Sequence, residues 1–391
     1  MRMNDFPEPS ADALVLSGQL AARIRNEIAA SGGSIPFSRY MELCLYSPGL
    51  GYYAAGSQKF GAAGDFVTAP ELSPLFGRCL AQSCASVLTE LGSADILEFG
   101  AGSGRMAADI LGELETAGQV PGQYCILERS AELRARQQET LRTQVPQLFE
   151  RVVWLDGLPQ ANFRGVLLAN EVLDAMPVDR FRWSGTTAEM FHVQCAGAGF
   201  GWTTVETASG AAAEAVQHLA SEIGLAPGYI SEINMTLAPW LASIAARLEQ
   251  GLLLLADYGY PRHEYYHPQR SAGTLMCHYR HRAHDNPFLW PGLQDITAHV
   301  DFTAVAEAGS AAGLEVTGYT SQAHFLLDCG IDRLLNAAGP GDSADYLKLA
   351  QQAKQLMLPG EMGERFKFIG LSKDIETPVP GFRLQDFRHR L

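Results

Sequence analysis

The chain of 391 residues predicts an α/β fold built on an open, largely parallel sheet. Three observations predict it. From residue 94 onward, strand-length apolar runs alternate with helical periodicities. A glycine-rich turn, Gly100-Ala-Gly-Ser-Gly104, joins the first run to a helix. Acidic residues close several of the runs, where the carboxyl ends of parallel strands meet a cleft.

The elements follow in order. Residues 13–31 read as a helix, with Leu16, Leu20, Ile24 and Ile28 every four positions. Residues 46–74 are crowded with Gly, Pro and aromatics, from Tyr46-Ser-Pro-Gly-Leu-Gly-Tyr-Tyr53 to Pro70, and read as a long loop of functional or mobile kind. Thr68-Ala-Pro-Glu71 has capping-box spacing, so a helix starts there, with Leu80, Val87, Leu88 and Leu91 on its apolar face. Strands are expected at 94–99, 122–128, 151–155, 165–170, 252–258, 314–320 and 366–372. Phe181–Trp183, Met190–Gln194 and Trp202–Val205 read as a small antiparallel insertion. Gly228–Ile233 is strand-like, and a helix is expected around Trp240–Leu248. Asp301 is placed to cap a helix, with Val300 and Val305 as a hydrophobic staple. The expected divisions are an N-terminal helical and loop region (1–91), a first core half (92–180), the antiparallel insertion (181–227) and a second core half (228–391). The last carries an irregular lid at 258–300 and a helical insertion at 322–360.

Bulk properties narrow the function. A net charge of −14 argues against nucleic acid and anionic membrane as partners and favours a basic one. Seven cysteines without a C-x-x-C pair speak against a disulfide framework or a zinc site, and for a reducing compartment. No apolar run reaches membrane-spanning length, and the first residues lack signal- or transit-peptide character. A cytoplasmic location is expected. The oligomeric state is open.

The chemistry is expected at the strand ends. The turn has G-x-G-x-G spacing, and Arg105 stands where a dinucleotide fingerprint has its third glycine. Glu98, two residues before Gly100, would repel a pyrophosphate and welcome a cation or an amino group. S-adenosylmethionine carries a sulfonium and an amino-acid end, and no phosphate. Gly100, Gly102 and Gly104 allow close backbone approach. Glu128, ending the second strand, can accept both ribose hydroxyls. Asp156, ending the third, is placed to meet an adenine edge or simply to form a turn. The fourth strand ends in Asn170-Glu171-Val-Leu-Asp174, two carboxylates and an amide that suit a planar guanidinium. Asp257 ends the fifth. The segment Cys277-His-Tyr-Arg-His281 with His284 carries too much arginine, and the wrong spacing, for a metal site.

Four stretches carry a family resemblance: Gly64-Asp-Phe-Val-Thr-Ala-Pro-Glu71, Glu98–Gly104, Asn170-Glu-Val-Leu-Asp-Ala-Met-Pro177, and Gly273-Thr-Leu through Gln294-Asp-Ile-Thr-Ala-His-Val-Asp-Phe302. The chain resembles the MidA-type S-adenosylmethionine-dependent methyltransferases, a family similar to the mitochondrial complex I assembly factor that methylates an arginine. The resemblance implies a Rossmann-like, seven-stranded class I methyltransferase sheet with its last strand antiparallel. It implies S-adenosyl-L-methionine as cofactor, lined by Glu98, Gly100, Gly102 and Glu128, to which the strand-end reading adds Gly104, Asp156 and Asn170 as candidates. It places Asn170, Glu171 and Asp174 at the reaction centre, bordered by the Gly64–Glu71 loop with Asp65 and Thr68; Asp257, at its strand end, and His299 are further candidates at the substrate or lid. It implies an arginine-bearing protein as substrate. A non-catalytic assembly factor that binds the cofactor structurally, and a nicotinamide oxidoreductase, are the competing readings.

Overall fold

The computed structural model describes residues 6–54, 67–160, 162–207, 209–339 and 343–391. Seven strands form its central sheet: β1 (Asp95–Phe99), β2 (Tyr124–Leu127), β3 (Val152–Leu155), β4 (Phe163–Asn170), β5 (Leu248–Tyr260), β6 (Glu315–Ser321) and β7 (Phe366–Lys373). The spatial order is β6-β7-β5-β4-β1-β2-β3, and a two-residue strand, Val300–Asp301, pairs with the end of β5. β7 runs antiparallel to both β5 and β6, whereas β5, β4, β1, β2 and β3 are mutually parallel. All seven expected strands are present, with β5 starting four residues early.

Alternation along each strand divides the core between two faces. On one face, Ile96, Val166, Leu168, Leu252 and Leu254 pack with helices Pro74–Leu91 and Arg105–Thr116. On the other, Leu97, Leu167, Leu253 and Leu255 pack with helices Leu237–Ala245 and Phe302–Ala311. Strands buried on both sides need the near-continuous apolar runs that 166–169 and 252–255 supply. Each such side chain contributes about 1.5–3 kcal/mol on burial.

Local signals behave as elementary physics dictates, with instructive exceptions. Asp301 caps its helix through the amides of Thr303 and Ala304, at 3.0 and 3.2 Å. Val300 and Val305 are buried in one cluster, as a staple requires. The first helix runs Ala11–Ala30 and buries Leu20, Ile24 and Ile28, but Leu16 lies on its exposed side. Thr68 makes no side-chain cap bond; Ser73 caps the long helix instead, accepting from the Leu75 amide at 3.3 Å. Glu71 is thereby free for other work.

A second sheet flanks the core. Strands Asp179–Trp183, Ala188–Ala196 and Gly199–Thr207 form an antiparallel ribbon, joined at its edges by Ser34–Pro36 and Ile230–Ile233. Residues 258–300 are more regular than expected. They contain a three-stranded antiparallel sheet, Met276–Tyr279, Arg282–His284 and Asp295–Thr297. Its first two strands form a tight hairpin through Arg280 and His281, both at positive φ, and Asp295–Thr297 pairs from further along the chain. No described helix is long and apolar enough to cross a membrane. Among the described residues no group of three or more His, Cys, Asp and Glu side chains is arranged to hold a metal ion.

Candidate functional site

The carboxyl ends of β1, β2, β4 and β5 open into one cavity of about 1540 Å³. It runs from Glu128 and Asp156 at one end, past Gly100 and Gly102, to Glu171, Asp174 and the small sheet at the other.

The glycine turn is built by backbone geometry. Gly100 and Gly102 have φ of +64° and +52°, and both border the cavity. No atom of the described residues lies within 4 Å of where a Gly102 Cβ would stand, so the backbone itself is open to a ligand. Gly104 differs from the expectation: it does not border the cavity. With φ +85° it starts helix Arg105–Thr116, and a Cβ there would stand 3.1 Å from Gln137 Cα. Its service is to let that helix approach. Ser103 donates to the Glu71 carboxylate, tying the turn to the short helix Ala69–Leu72.

Two acids flank the turn. Glu98 is buried, accepts from the Tyr124 hydroxyl at 2.6 Å, and has its carboxyl pushed up to about 7 by burial. Glu128 accepts from the Ser130 amide at 2.9 Å and from Gln137 Nε2 at 3.2 Å. Burial raises its carboxyl, and those two bonds oppose the rise. Gln137 also donates to the Gly102 carbonyl at 3.1 Å and accepts from Trp154 Nε1 at 2.9 Å. One buried amide thus fixes the turn and the acid together. Nothing in the sequence singles it out from other helix residues. Asp156 lies exposed at the cavity rim, ion-paired to Arg134 at 2.6 Å.

Beyond β4 the chain turns sharply. Glu171 has φ +53°, a conformation rare and strained for a side chain of its size, while its amide still reaches the Ala256 carbonyl at 2.9 Å. Glu171 accepts from Asn170 Nδ2 at 3.2 Å. Its carboxyl is pushed up to about 8, first by burial and then by Asp174. Asp174 is pushed up to about 6 by burial. Among the described residues, Asn170 Oδ1 and Asp174 Oδ1 are buried without a hydrogen-bond partner.

Asp257 departs from its expected place at the substrate. It is fully buried outside the cavity lining, and Oδ2 accepts the amides of Leu173 and Asp174 at 2.9 and 3.2 Å. Its Oδ1 accepts the Tyr258 amide at 2.8 Å. It braces the acidic loop from behind. Burial, then Asp174 and Glu171, hold its carboxyl well above the usual range. Thr68 and His299 do border the cavity. His299 sits between the rings of Tyr258 and Tyr260, at 5.3 and 5.4 Å, and burial lowers its imidazole to about 4. Asp65 lies outside the described residues.

Among the lining residues that sequence reasoning did not name as site residues are Tyr46, Tyr53 and Asp295. The Tyr53 hydroxyl donates to Asp295, 3.0 Å from each carboxylate oxygen. The density of aromatics at 46–53 is the signal that marks the first two.

A glycine turn between strand and helix, an acid ending the next strand, and a parallel sheet with a reversed strand inserted before its last edge define a class I methyltransferase fold. A family model described as "Putative S-adenosyl-L-methionine-dependent methyltransferase" matches residues 79–320. The chain belongs to that family of S-adenosylmethionine-dependent methyltransferases. A Burkholderia thailandensis crystal structure holding S-adenosyl-homocysteine is 46% identical and superposes with a TM-score of 0.94, covering 99% of this chain and 100% of that one. The curated relatives include protein arginine methyltransferase NDUFAF7, mitochondrial, of Homo sapiens, 29% identical over 92% of this chain and 83% of its own length. The Drosophila melanogaster homolog is 26% identical over 96% of this chain and 91% of its own length.

Proposed function

We propose that this methyltransferase acts on an arginine side chain of a partner protein, in a step linked to assembly of a respiratory complex. One observation carries the choice of substrate. The acidic loop presents a buried acceptor, Asp174 Oδ1, unpartnered among the described residues, beside a second carboxylate, Glu171, on the wall of the cofactor cavity. Unpartnered acceptors in a low-dielectric site call for N–H donors. A guanidinium supplies five, in a fork that matches carboxylates. The names of the curated relatives agree with this choice.

The residues present fit the cofactor. Gly100 and Gly102 give it open backbone, Glu128 offers a carboxylate held by two donors, and Asn170 Oδ1 waits for a donor between the two halves of the cavity. Glu98 and Asp156 also border the space. When bound, S-adenosylmethionine supplies a methyl carbon activated by its sulfonium. Everything else falls to the protein. Glu171 and Asp174 accept the guanidinium N–H groups and turn its nitrogen toward the glycine turn. Without a cation in place, burial, and for Glu171 the neighbouring Asp174, keep a proton on this pair. Arrival of the guanidinium expels that proton. The carboxylate of Glu171 then takes up the proton that the guanidinium releases on methylation. Asp257 keeps the loop in register throughout.

All seven cysteines are free thiols, six of them buried, which supports a reducing, cytoplasmic setting for the reaction.

The test is Glu171→Gln. Turnover on an arginine-bearing protein should fall by roughly 10²–10⁴, with S-adenosylhomocysteine affinity unchanged. Unchanged turnover would refute the assigned role, and retention of assembly function by the inactive variant would favour a scaffold.

A further inference from the structure

The far wall of the cavity comes from parts of the chain remote from the glycine turn. Tyr46 ends helix Phe37–Tyr46, and Tyr53 follows on the next turn. Their rings stack with centroids 5.6 Å apart and planes 22° from parallel. The Tyr46 hydroxyl donates to the Ala175 carbonyl at 2.9 Å, which fixes the ring beside the acidic loop. Yet Tyr46 is 42% exposed, because the ring borders the cavity. Asp295 is only 2% exposed and is aligned by the Tyr53 hydroxyl and by the Ile296 amide, at 3.0 Å. Asp174, 5% exposed with its orphaned Oδ1, borders the same space.

The wall therefore combines a flat, accessible π-surface with carboxylates held at fixed angles. These features discriminate between cations. A guanidinium is planar, weakly hydrated and able to stack while it donates in its own plane. An ammonium is a compact, strongly hydrated point charge that gains less from a flat ring and loses more on leaving water. We propose that Tyr46, Tyr53 and Asp295 form a specificity-determining wall that selects a guanidinium over an ammonium side chain. The proposal rests on the arginine reading of the acidic loop and adds the residues that would make that choice. It also gives the N-terminal region a direct part in the site. Tyr46 and Tyr53 act by contact with the substrate cation, and Asp295 acts both by contact and by holding Tyr53.

The test uses the full-length chain saturated with S-adenosylhomocysteine. Calorimetry compares N-acetyl-arginine-N-methylamide with the corresponding lysine amide. The wild type should bind the arginine amide at least ~10-fold more tightly than the lysine amide. Tyr46→Leu and Asp295→Asn should each weaken arginine binding by about 10-fold and shrink the preference to under about 3-fold. Tyr46→Phe, which keeps the ring, should retain the preference. Melting temperature and S-adenosylhomocysteine affinity report whether each variant folds, and Tyr53→Phe supplies a milder probe of the Asp295 contact. Full arginine preference in folded Tyr46→Leu and Asp295→Asn would overturn the proposal, as would failure of the wild type to discriminate. The two readings separate cleanly. Discrimination without any methylated arginine in a turnover assay would defeat the transfer reading and leave the wall standing. Arginine methylation with an unchanged KM in both variants would defeat the wall and leave the transfer reading standing.

Discussion

Replacing Glu171 by glutamine removes a carboxyl group that folding holds protonated far above its ordinary range. The group titrates near 8 in the folded chain, against an ordinary value of 4.5, chiefly through burial and through Asp174. The folded state therefore binds a proton that the unfolded state has already lost. Its contribution to stability is fully present below 4.5 and disappears as pH rises through 8. Between pH 6 and pH 9 the loss comes to about 3 kcal/mol. Glu171 is only partly buried and faces the cavity, so solvent screening brings this to about 2 kcal/mol. For a chain this long that corresponds to a fall of roughly 2–3 °C in melting temperature. Glutamine keeps the shape and the bond to Asn170 but cannot ionise. Scanning fluorimetry of both proteins from pH 6 to pH 9 should show curves that diverge, the variant becoming relatively more stable as pH rises. Glu98, raised to about 7, tilts both curves alike and cancels in the difference, whereas Asp257, which the Glu171 charge helps to raise, is relieved in the variant and adds to the same divergence. Parallel curves would show that Glu171 is not held protonated, and the proton accounting of the site would fail with it.

Asp257→Asn should cut turnover by about 10–100-fold without weakening S-adenosylhomocysteine binding, because it loosens only the brace behind Leu173 and Asp174; equal loss of both would mean a general defect. Gly104→Ala, at φ +85° and against Gln137, should cost roughly 1–3 kcal/mol in a denaturant titration. Gln137→Leu, which strips donors from Glu128 and the Gly102 carbonyl, should weaken S-adenosylhomocysteine binding by about 10-fold in calorimetry. Asp301→Ala should lower stability by about 1–2 kcal/mol through loss of its cap, with turnover little changed.

What the chain discloses in advance follows from the range of each interaction. The strands 166–169 and 252–255 are visible because burial on both faces demands unbroken apolar runs. The Asp301 cap is visible because its donors lie two and three residues away. The placement of Glu98, Gly100, Gly102, Glu128, Asn170, Glu171 and Asp174 around one cavity follows from the rule that parallel strands present their carboxyl ends together. That rule does not say which strand-end acid faces the cleft. Asp257 stands at such an end and turns its carboxylate back into the backbone of the neighbouring loop. Nor can it reach contacts set by tertiary packing. Tyr53 and Asp295 are 242 positions apart, and only tertiary packing of the N-terminal region against the small sheet brings them together. Thr68 shows the complementary failure. Its spacing to Glu71 is right for a capping box, but Glu71 is drawn to Ser103 and the cap passes to Ser73.

The central claim is that one cavity brings the S-adenosylmethionine methyl group to an arginine. Residue-level mass spectrometry tests it most directly. Purified protein is incubated with isotopically labelled S-adenosylmethionine and an extract from cells lacking this chain, and the labelled peptides are sequenced. The account predicts label on a guanidino nitrogen of arginine, absent with Glu171→Gln. Label on lysine, on a carboxylate or on a small molecule, with arginine untouched, would contradict it.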